Sequence, residues 1–242
     1  MQIDFAAREM TIKLVYYGPA LSGKTTNLQA LHAQSDEATR GRLMTLDTRD
    51  DRTLFFDLLP LTFKSEKSFS VRLKLFTVPG QVIHSSTRRL VLQGADGVAF
   101  IADSQLSETQ NNASAFRDLK ANLKSSSATE LRDMPLVIQF NKRDLPAIRS
   151  DAELDAQAKK GKEPVFTAVA TRGDGVVETF IGLLYMTFTS LDRQHSLGQK
   201  LGLDGDTFLG DVCARLGERT LESCLAAART AGGRGIRAEE TP

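Results

Sequence analysis

The chain has 242 residues, of which 41% are hydrophobic and 25% charged, with a formal net charge of +1. This composition is ordinary for a soluble globular protein, and the length suits one α/β domain with a modest appendage. The near-neutral charge gives no argument for nucleic-acid binding, and no apolar run approaches the roughly 20 residues that span a bilayer.

The chain ends and the cysteines predict a cytoplasmic protein. The first five residues, M-Q-I-D-F, lack the basic and apolar regions of a signal peptide. The last residues carry no prenylation box, so we expect no lipid anchor of the Ras type. Cys213 and Cys224 are the only cysteines of the sequence, and we expect both to be reduced core residues.

Strand and helix patterns alternate along most of the chain, which favours a mainly parallel sheet covered by helices on both faces. The predicted strands are 12–17, 56–63, 69–78, 97–103, 135–141 and 165–169, and the predicted helices are 24–34, 107–124, 152–159 and 175–191. In the third strand, Val71, Leu73 and Leu75 alternate with charged residues. That strand is therefore expected to have one wet face, as near a sheet edge.

Residues 1–191 are predicted to form the main domain, and residues 192–242 a C-terminal extension. The stretch 192–206 carries several glycines and polar residues, which predicts a linker. Apolar residues then recur at rough helical spacing up to residue 230, which predicts one helix or a helix pair broken at Gly217. These helices either pack back on the domain or form a partner-docking or autoregulatory arm. From Gly232 onward we expect a disordered tail.

A phosphate-binding loop is predicted between the first strand and the first helix. Residues 18–25 read G-P-A-L-S-G-K-T and match the pattern G-x-x-x-x-G-K-[ST]. Such a loop turns its backbone N–H groups inward at a helix N-terminus and forms an anion nest. Lys24 is expected to reach the β- and γ-phosphates, and the Thr25 hydroxyl to ligate Mg²⁺. The expected phosphate-binding residues of this loop are Gly18, Ala20, Leu21, Ser22, Gly23, Lys24, Thr25 and Thr26.

A second motif, N-K-R-D at residues 141–144, matches the N-K-x-D pattern of guanine recognition. Asp144 can offer two carboxylate oxygens to the adjacent N–H donors on the Watson–Crick edge of guanine. Adenine lacks that donor pair, and a buried carboxylate left unpaired rejects such a ligand by roughly 10⁴–10⁵-fold. Asn141 and Lys142 complete the motif, with the lysine stem expected over the base. Both motifs together predict a GTP site.

With these motifs, the chain resembles the bacterial MglA family, small Ras-like GTPases that act as polarity switches for surface motility. The resemblance covers roughly residues 8–190 and includes T-L-F-F-D-L-L-P at 53–60, T-V-P-G-Q at 77–81 and N-K-R-D-L-P at 141–146. It implies a Ras-like G domain of the P-loop NTPase class, with a mainly parallel sheet of about six or seven strands. It also implies GTP and GDP as ligands, Mg²⁺ as cofactor, and a Roadblock-fold partner of the MglB type that activates hydrolysis.

Family roles carry over to four residues between the motifs. Thr53 resembles the switch I threonine, which senses Mg²⁺ and the γ-phosphate. Gly80 resembles the switch II glycine, whose N–H reports the γ-phosphate, and Gln81 the glutamine that orients the attacking water. Arg52 resembles the arginine that this family supplies in cis to the transition state. Arg49 is a nearby substitute, and a solvated surface charge is the alternative for Arg52.

Three further positions bear on the site. The N–H of Ala170, in the loop after the last predicted strand, is by position a candidate donor to guanine O6. Thr77 stands where Ras-like proteins carry the aspartate of D-x-x-G, so Mg²⁺ should rest on Thr25 and Thr53 and be held more weakly. Ala20 stands where Ras and most of the family have glycine. Its methyl group either slows hydrolysis or is tolerated.

These features predict a GTPase switch with effectors that the sequence does not name. In it Gln81 positions the water, and Lys24 and Arg52 stabilise charge in the transition state. The alternative is a GTP-binding scaffold that hardly hydrolyses GTP, which Ala20 and Thr77 favour. A third possibility is a different P-loop enzyme such as a kinase, which the N-K-R-D motif opposes.

Overall fold

The computed structural model describes residues 1–46, 56–64, 69–79, 85–126, 134–217 and 219–236. The strands are β1 (Gln2–Asp4), β2 (Glu9–Tyr17), β3 (Met44–Leu46), β4 (Phe56–Phe63), β5 (Ser70–Thr77), β6 (Gly97–Asp103), β7 (Leu136–Asn141), β8 (Val165–Thr167), β9 (Arg229–Thr230) and β10 (Gly233–Arg234). The helices are α1 (Lys24–Gln34), α2 (Ser85–Leu92), α3 (Thr109–Ser126), α4 (Asp151–Lys160), α5 (Val176–His195), α6 (Leu197–Leu201), α7 (Gly205–Ala214) and α8 (Leu221–Ala226).

The described residues form one ten-stranded sheet in the order β10-β9-β8-β7-β6-β2-β5-β4-β3, with β1 paired to β2. β5, β2, β6, β7 and β8 are parallel neighbours, whereas the other pairs are antiparallel. The predicted α/β architecture with a mainly parallel sheet is confirmed. The sheet exceeds the predicted six or seven strands because β1, β3, β9 and β10 are pieces of only two or three residues.

The expected alternation in β5 is present, with Val71, Leu73 and Leu75 buried. The opposite face of the strand is half-buried, and there Arg72 pairs with Glu9 of β2 at 2.8 Å. β5 lies between β2 and β4, third from the β3 end of the sheet. The alternation thus belongs to a strand close to one edge with a partly solvated face.

Helices cover both faces of the sheet. One apolar cluster joins the sheet to α1, α5 and the C-terminal extension, with Leu28, Phe180 and Leu209 among its members. The other joins the opposite face to α2, α3 and α4, through residues such as Leu92 and Leu119. Helix α2 was not predicted, because its buried residues include the polar Thr87 and Arg88 and so gave no clear apolar spacing.

The C-terminal extension differs from its prediction. The expected linker is wrong over much of its length, because α5 continues to His195 and α6 follows at once. Leu197 and Leu201 are buried in the same core as α1 and α5. The expected helix pair is present as α7 and α8, and Gly217, at a φ of 84°, lies between them.

The predicted tail is also partly ordered. Gly233 pairs with Thr230 in the short hairpin of β9 and β10, so disorder from Gly232 onward is wrong for that segment. Residues 237–242 lie outside the described part of the chain. The division of the chain at residue 191 stays a prediction.

Cys213 and Cys224 are both free and buried. Among the described residues, no helix is long and apolar enough to cross a membrane.

Candidate functional site

The predicted phosphate loop joins β2 to α1, and its backbone demands both glycines. Gly18 has a φ of 149°, and a Cβ there would lie 2.2 Å from the carbonyl oxygen of Ile101. Gly23 has a φ of 96°, and its Cβ would lie 2.2 Å from Nδ2 of Asn141. L-residues rarely adopt such φ values, and no larger residue fits. The loop is therefore packed directly against the N-K-R-D motif.

The N-terminus of α1 is suited to an anion. Its first turn carries no acidic side chain, and Gly23 at the N-cap supplies no side-chain cap. The unpaired N–H groups and the helix dipole together favour a negatively charged group at this end. A cavity of about 560 Å³ opens beside it. Its lining residues are Ala20, Leu21, Gly23, Lys24, Thr25, Thr26, Thr45, Phe56, Asp57, Thr77, Val78 and Pro79.

Lys24 is held inside the loop. Its Nζ donates to the carbonyl oxygens of Pro19 at 2.6 Å and Gly18 at 3.1 Å, and the residue is only 7% exposed. Burial lowers the pKa of Lys24 to about 8; the charge of Arg88 lowers it further, and that of Asp57 opposes the shift. A phosphate at this point would favour the charged form, because an opposite charge raises the pKa of an ammonium group.

A buried carboxylate that the sequence analysis did not single out lies beside Thr25. Oδ2 of Asp57 accepts from Oγ1 of Thr25 at 2.6 Å and from Oγ1 of Thr77 at 3.0 Å. Oδ1 accepts from the hydroxyl of Thr45 at 2.8 Å. The backbone N–H of Asp57 donates to Oγ1 of Thr77 at 2.8 Å, and the residue is 6% exposed. Three hydroxyl groups therefore surround one carboxylate at the open end of the phosphate loop.

The position of Asp57 bears on the missing D-x-x-G aspartate. Thr77 on β5 occupies that place in the sequence, and the neighbouring strand β4 brings a carboxylate to its hydroxyl. Hydroxyl and carboxylate oxygens are the hard ligands that suit Mg²⁺. The described residues hold no group of three or more His, Cys, Asp or Glu side chains placed for a metal ion. Mg²⁺ in nucleotide sites needs only one or two protein ligands, because phosphates and water supply the rest.

A signal for Asp57 was present in the sequence. β4 alternates between half-buried and buried positions, and Asp57 falls in phase with Leu59, Leu61 and Phe63, which are all buried. A charged residue at a position that the strand period assigns to the core rarely serves packing alone. The sequence did not show which residue this carboxylate contacts, because Thr25 lies 32 positions away.

Asn141 ties the two predicted motifs together. Its Nδ2 donates to the carbonyl oxygen of Ser22 in the phosphate loop at 2.9 Å. Its Oδ1 accepts from the N–H of Ala170 at 2.9 Å. One buried amide therefore joins the phosphate loop, β7 and the loop at 169–175, which we call the base loop. In this structure the N–H of Ala170 already has a partner, which guanine O6 would have to share or replace. The next N–H, that of Thr171, has no acceptor among the described residues.

The rest of the N-K-R-D motif faces the same end of the sheet. Asp144 is exposed, and its carboxylate has no hydrogen-bond partner within the described part of the chain. Lys142, at a φ of 64°, donates from Nζ to Oδ2 of Asp103 at 2.6 Å. That ion pair fixes the ammonium group at the end of β6 and leaves the aliphatic stem beside the motif. The arrangement presents a free carboxylate where a base could pair.

Four predicted site residues fall outside the described ranges: Arg52, Thr53, Gly80 and Gln81. The same holds for Arg49, the substitute arginine. Their assigned roles therefore stay predictions. Ala20, by contrast, is described: it is exposed and lines the cavity beside the loop.

A larger cavity, of about 800 Å³, lies far from these motifs. It opens between α5 and the β9–β10 hairpin, next to Pro135 and Pro164 at the starts of β7 and β8. The N-K-R-D motif follows the opposite end of β7, so the two cavities belong to opposite ends of the sheet. None of the predicted site residues lines the larger cavity.

Comparison with known proteins adds one clear relative. Over 191 residues the chain is 41% identical to the mutual gliding-motility protein MglA of Myxococcus xanthus (strain DK1622). The match covers 79% of this chain and 97% of that protein. No protein-family model matches the chain.

Proposed function

Because the chain belongs to the MglA family of small Ras-like GTPases, we propose that it is a molecular switch that binds GTP and GDP and hydrolyses GTP. The observation that carries this proposal is the side chain of Asn141. It connects the phosphate loop at Ser22 to the base loop at Ala170, so that both ends of one nucleotide would be held by a single connected unit. The carboxylate of Asp144, which has no hydrogen-bond partner among the described residues, supports guanine as the base.

The biological setting follows from the relative. That protein is named for gliding motility, and we propose that this chain acts in bacterial cell polarity or motility, in the cytoplasm. Its output would be binding of effectors in one nucleotide state, because ordering of the switch segments by the γ-phosphate changes the surface that partners meet.

The phosphate side of the site would act through fixed dipoles and one ammonium group. The N–H groups of the loop and of the first turn of α1 would bind the phosphate oxygens. Lys24 would leave its two carbonyl acceptors for the β- and γ-phosphates, and that exchange would keep its proton on Nζ. Little reorganisation is needed, because the loop is already fixed by the close packing of Gly18 and Gly23.

Mg²⁺, when bound, would neutralise charge on the β- and γ-phosphate oxygens. Thr25 and the predicted Thr53 would supply hydroxyl ligands. We add Asp57 as the acidic group of this metal site, acting on the ion directly or through water while it orients the Thr25 hydroxyl. This role would replace that of the D-x-x-G aspartate, whose place Thr77 takes.

Hydrolysis would follow in-line attack of water on the γ-phosphate. Gln81 would hold the water, and Arg52 with Lys24 would stabilise the charge that develops on the phosphoryl oxygens. The resemblance to the MglA family supports a dimeric Roadblock-fold partner that completes this geometry. An arginine finger of this kind contributes about 10³–10⁵-fold to the rate.

A hydrolysis-poor GTP-binding scaffold is the second candidate function, and Ala20 favours it. Ala20 is exposed and lines the cavity beside the phosphate loop. That position is where a γ-phosphate and the arginine would approach. Such a scaffold would bind GTP with the same contacts and turn it over only slowly.

Single-turnover hydrolysis of GTP, with and without a Roadblock-fold partner, tests the proposal. We expect the partner to accelerate the wild type and Arg52→Ala to remove about 10³-fold of the accelerated rate. Arg49→Ala is the matched control and should leave the rate unchanged. Bound GTP that is hydrolysed at the same negligible rate with or without the partner would select the scaffold instead. A protein that binds neither GTP nor GDP would contradict both.

A further inference from the structure

Two arginines of the C-terminal extension reach back to the loops that carry the candidate guanine contacts. Arg219 precedes α8, and Arg229 begins β9. The side chain of Arg219 makes two hydrogen bonds to other parts of the fold and one within the extension, to the carbonyl oxygen of Leu216, and that of Arg229 makes three to other parts of the fold. The planar guanidinium group presents five donors in a fixed fork, and it can therefore hold several acceptors in one arrangement.

Arg219 connects the extension to the base loop. Its Nη2 donates to Oε1 of Gln34, the last residue of α1, at 3.1 Å, and its Nε donates to Oε1 of Glu178 on α5 at 3.1 Å. Nε2 of Gln34 in turn donates to the carbonyl oxygen of Gly173 in the base loop at 3.3 Å. The N–H of Gly173 donates to the carbonyl oxygen of Ala170 at 3.2 Å. One continuous chain of contacts therefore runs from Arg219 to the candidate O6 donor.

Arg229 connects the extension to the N-K-R-D motif. Its Nη2 and Nε pair with Oδ1 of Asp151 and of Asp155 on α4, both at 2.9 Å. The same Oδ1 of Asp151 accepts from Nη2 of Arg143, the third residue of the motif, at 3.2 Å. Nη1 of Arg229 also donates to the hydroxyl of Thr167, at the end of β8, at 3.3 Å. Arg229 and Arg143 therefore share one carboxylate beside the guanine motif.

We propose that Arg219 and Arg229 form a brace, by which the C-terminal extension positions the base loop and the N-K-R-D motif and thereby slows nucleotide release. The inference rests on the proposed function, because it takes guanine nucleotide as the ligand. Opening of the base loop and of the N-K-R-D motif would free the base, and it would require the contacts through Gln34 and Asp151 to break or shift. The extension then acts on the guanine site through Gln34 and Asp151, which contact the base loop and the N-K-R-D motif.

The side chain of Arg229 is only 10% exposed, whereas those of Asp151 and Asp155 are 64% and 44% exposed. Because loss of a buried guanidinium group also removes packing, the melting temperature of Arg229→Ala is measured beside its release rate. Faster release at a temperature where the variant is fully folded then reports a change in the loops and not global unfolding.

The test is the release rate of the fluorescent nucleotide mant-GDP from the full chain. We expect Arg219→Ala and Arg229→Ala each to accelerate release about tenfold, as the loss of charged hydrogen bonds implies. Arg219→Lys should release mant-GDP at a rate between those of Arg219→Ala and wild type. The restoration is incomplete because one ammonium group cannot span Gln34 and Glu178. The acceleration should be the same with Mg²⁺ and with EDTA, since the phosphate side is unchanged. If the two arginines only stabilised the fold, their loss would lower the melting temperature without producing this pattern of release rates.

Two controls make the result specific. Arg215→Ala removes an ion pair with Asp211, which lies four residues away inside the same extension and contacts neither the base loop nor the N-K-R-D motif. It should release mant-GDP at the wild-type rate. Gln34→Ala combined with Arg219→Ala should be no faster than Arg219→Ala alone, because both act through one chain of contacts.

The outcomes separate the two proposals. Release from Arg219→Ala and Arg229→Ala at the rate of wild type and Arg215→Ala would overturn the brace and leave the proposed function standing. Equal acceleration by Arg215→Ala would overturn the brace as well, since any damage to the extension would then suffice. A wild-type chain that does not bind mant-GDP would overturn the proposed function together with the brace.

Discussion

The hydroxyl of Thr25 donates a 2.6 Å hydrogen bond to the buried carboxylate of Asp57 across the open end of the phosphate loop. Thr25 is the second residue of α1, and Asp57 lies in β4, which pairs with β5, the strand of Thr77. The contact places an acidic group at the proposed metal ligand even though the usual acidic position holds a threonine. The threonine in place of the D-x-x-G aspartate therefore leads to a prediction that Asp57 contributes to Mg²⁺ binding.

Asp57→Asn should weaken Mg²⁺ binding to the nucleotide complex by about 10–100-fold, as loss of an outer-shell carboxylate does. The amide keeps the size of the side chain and a hydrogen bond to Thr25, but it removes the negative charge. The measurement is mant-GDP release as a function of Mg²⁺ concentration. Asp211→Asn on α7 is the control. An unchanged Mg²⁺ midpoint in Asp57→Asn would show that the carboxylate has no part in the metal site.

Lys24 should make nucleotide affinity depend on pH. Its pKa is lowered to about 8 in the free protein, and bound phosphate raises it, so binding takes up a proton at higher pH. Affinity is therefore full below about pH 8 and falls as pH rises above that value. We expect GDP to bind about fourfold more weakly at pH 8.5 than at pH 7.

The control for this pH dependence is Lys24→Met. It should bind GDP weakly, with an affinity that does not change over the same interval, because the titrating group is gone. A wild-type affinity that is flat across this range would mean that Lys24 stays protonated in the free protein.

Ala20→Gly should accelerate GTP hydrolysis by about tenfold or more in the presence of the partner, while GDP affinity stays the same. The reason is that Ala20 lines the cavity where charge would develop in the transition state, and removal of its methyl group would give the catalytic groups more room. Single-turnover kinetics measure the change. Leu21→Ala, at the neighbouring exposed position of the loop, is the matched control. Equal rates in Ala20→Gly and wild type would show that the loop tolerates alanine.

Phe208→Ala should destabilise the whole chain by about 3–5 kcal/mol, as large-to-small changes in a core do. The ring of Phe208 on α7 lies 5.3 Å from that of Phe188 on α5 and 6.0 Å from that of Phe63 on β4. The extension and the sheet therefore share one core and should unfold in one transition, measured by circular dichroism in urea. Phe5→Ala removes an exposed ring and should cost less than about 1 kcal/mol. A separate early transition for the extension would contradict this account.

The local part of the site was readable from the sequence. The spacing of Gly18, Gly23 and Lys24 determines a phosphate loop, because the turn and the reach of the lysine involve neighbours in the chain. The central strands and α1 followed for the same reason, since their apolar period is local. The predicted bounds of α1 coincide with the observed helix, Lys24–Gln34.

The parts that the sequence did not reveal depend on pairing between distant segments. Asp57 acquires its role only when β4 pairs with β5 and faces α1. Arg219 and Arg229 look like ordinary surface charges until the extension folds back and brings them to Gln34 and Asp151. The stretch after Leu191 suggested a linker because its glycines and polar residues outweigh three leucines. The structure instead buries those leucines and uses Gly202, at a φ of 67°, to end α6.

The most direct measurement is a comparison of GDP, ADP and xanthosine diphosphate binding by wild type and Asp144→Asn. Xanthine carries an oxygen where guanine carries the amino group, so an amide at position 144 can pair with xanthine as the carboxylate pairs with guanine. We predict that wild type prefers GDP and that the variant reverses the preference, each by at least about tenfold. A wild type that binds ADP as well as GDP, or a variant that still prefers GDP, would contradict the guanine-nucleotide switch.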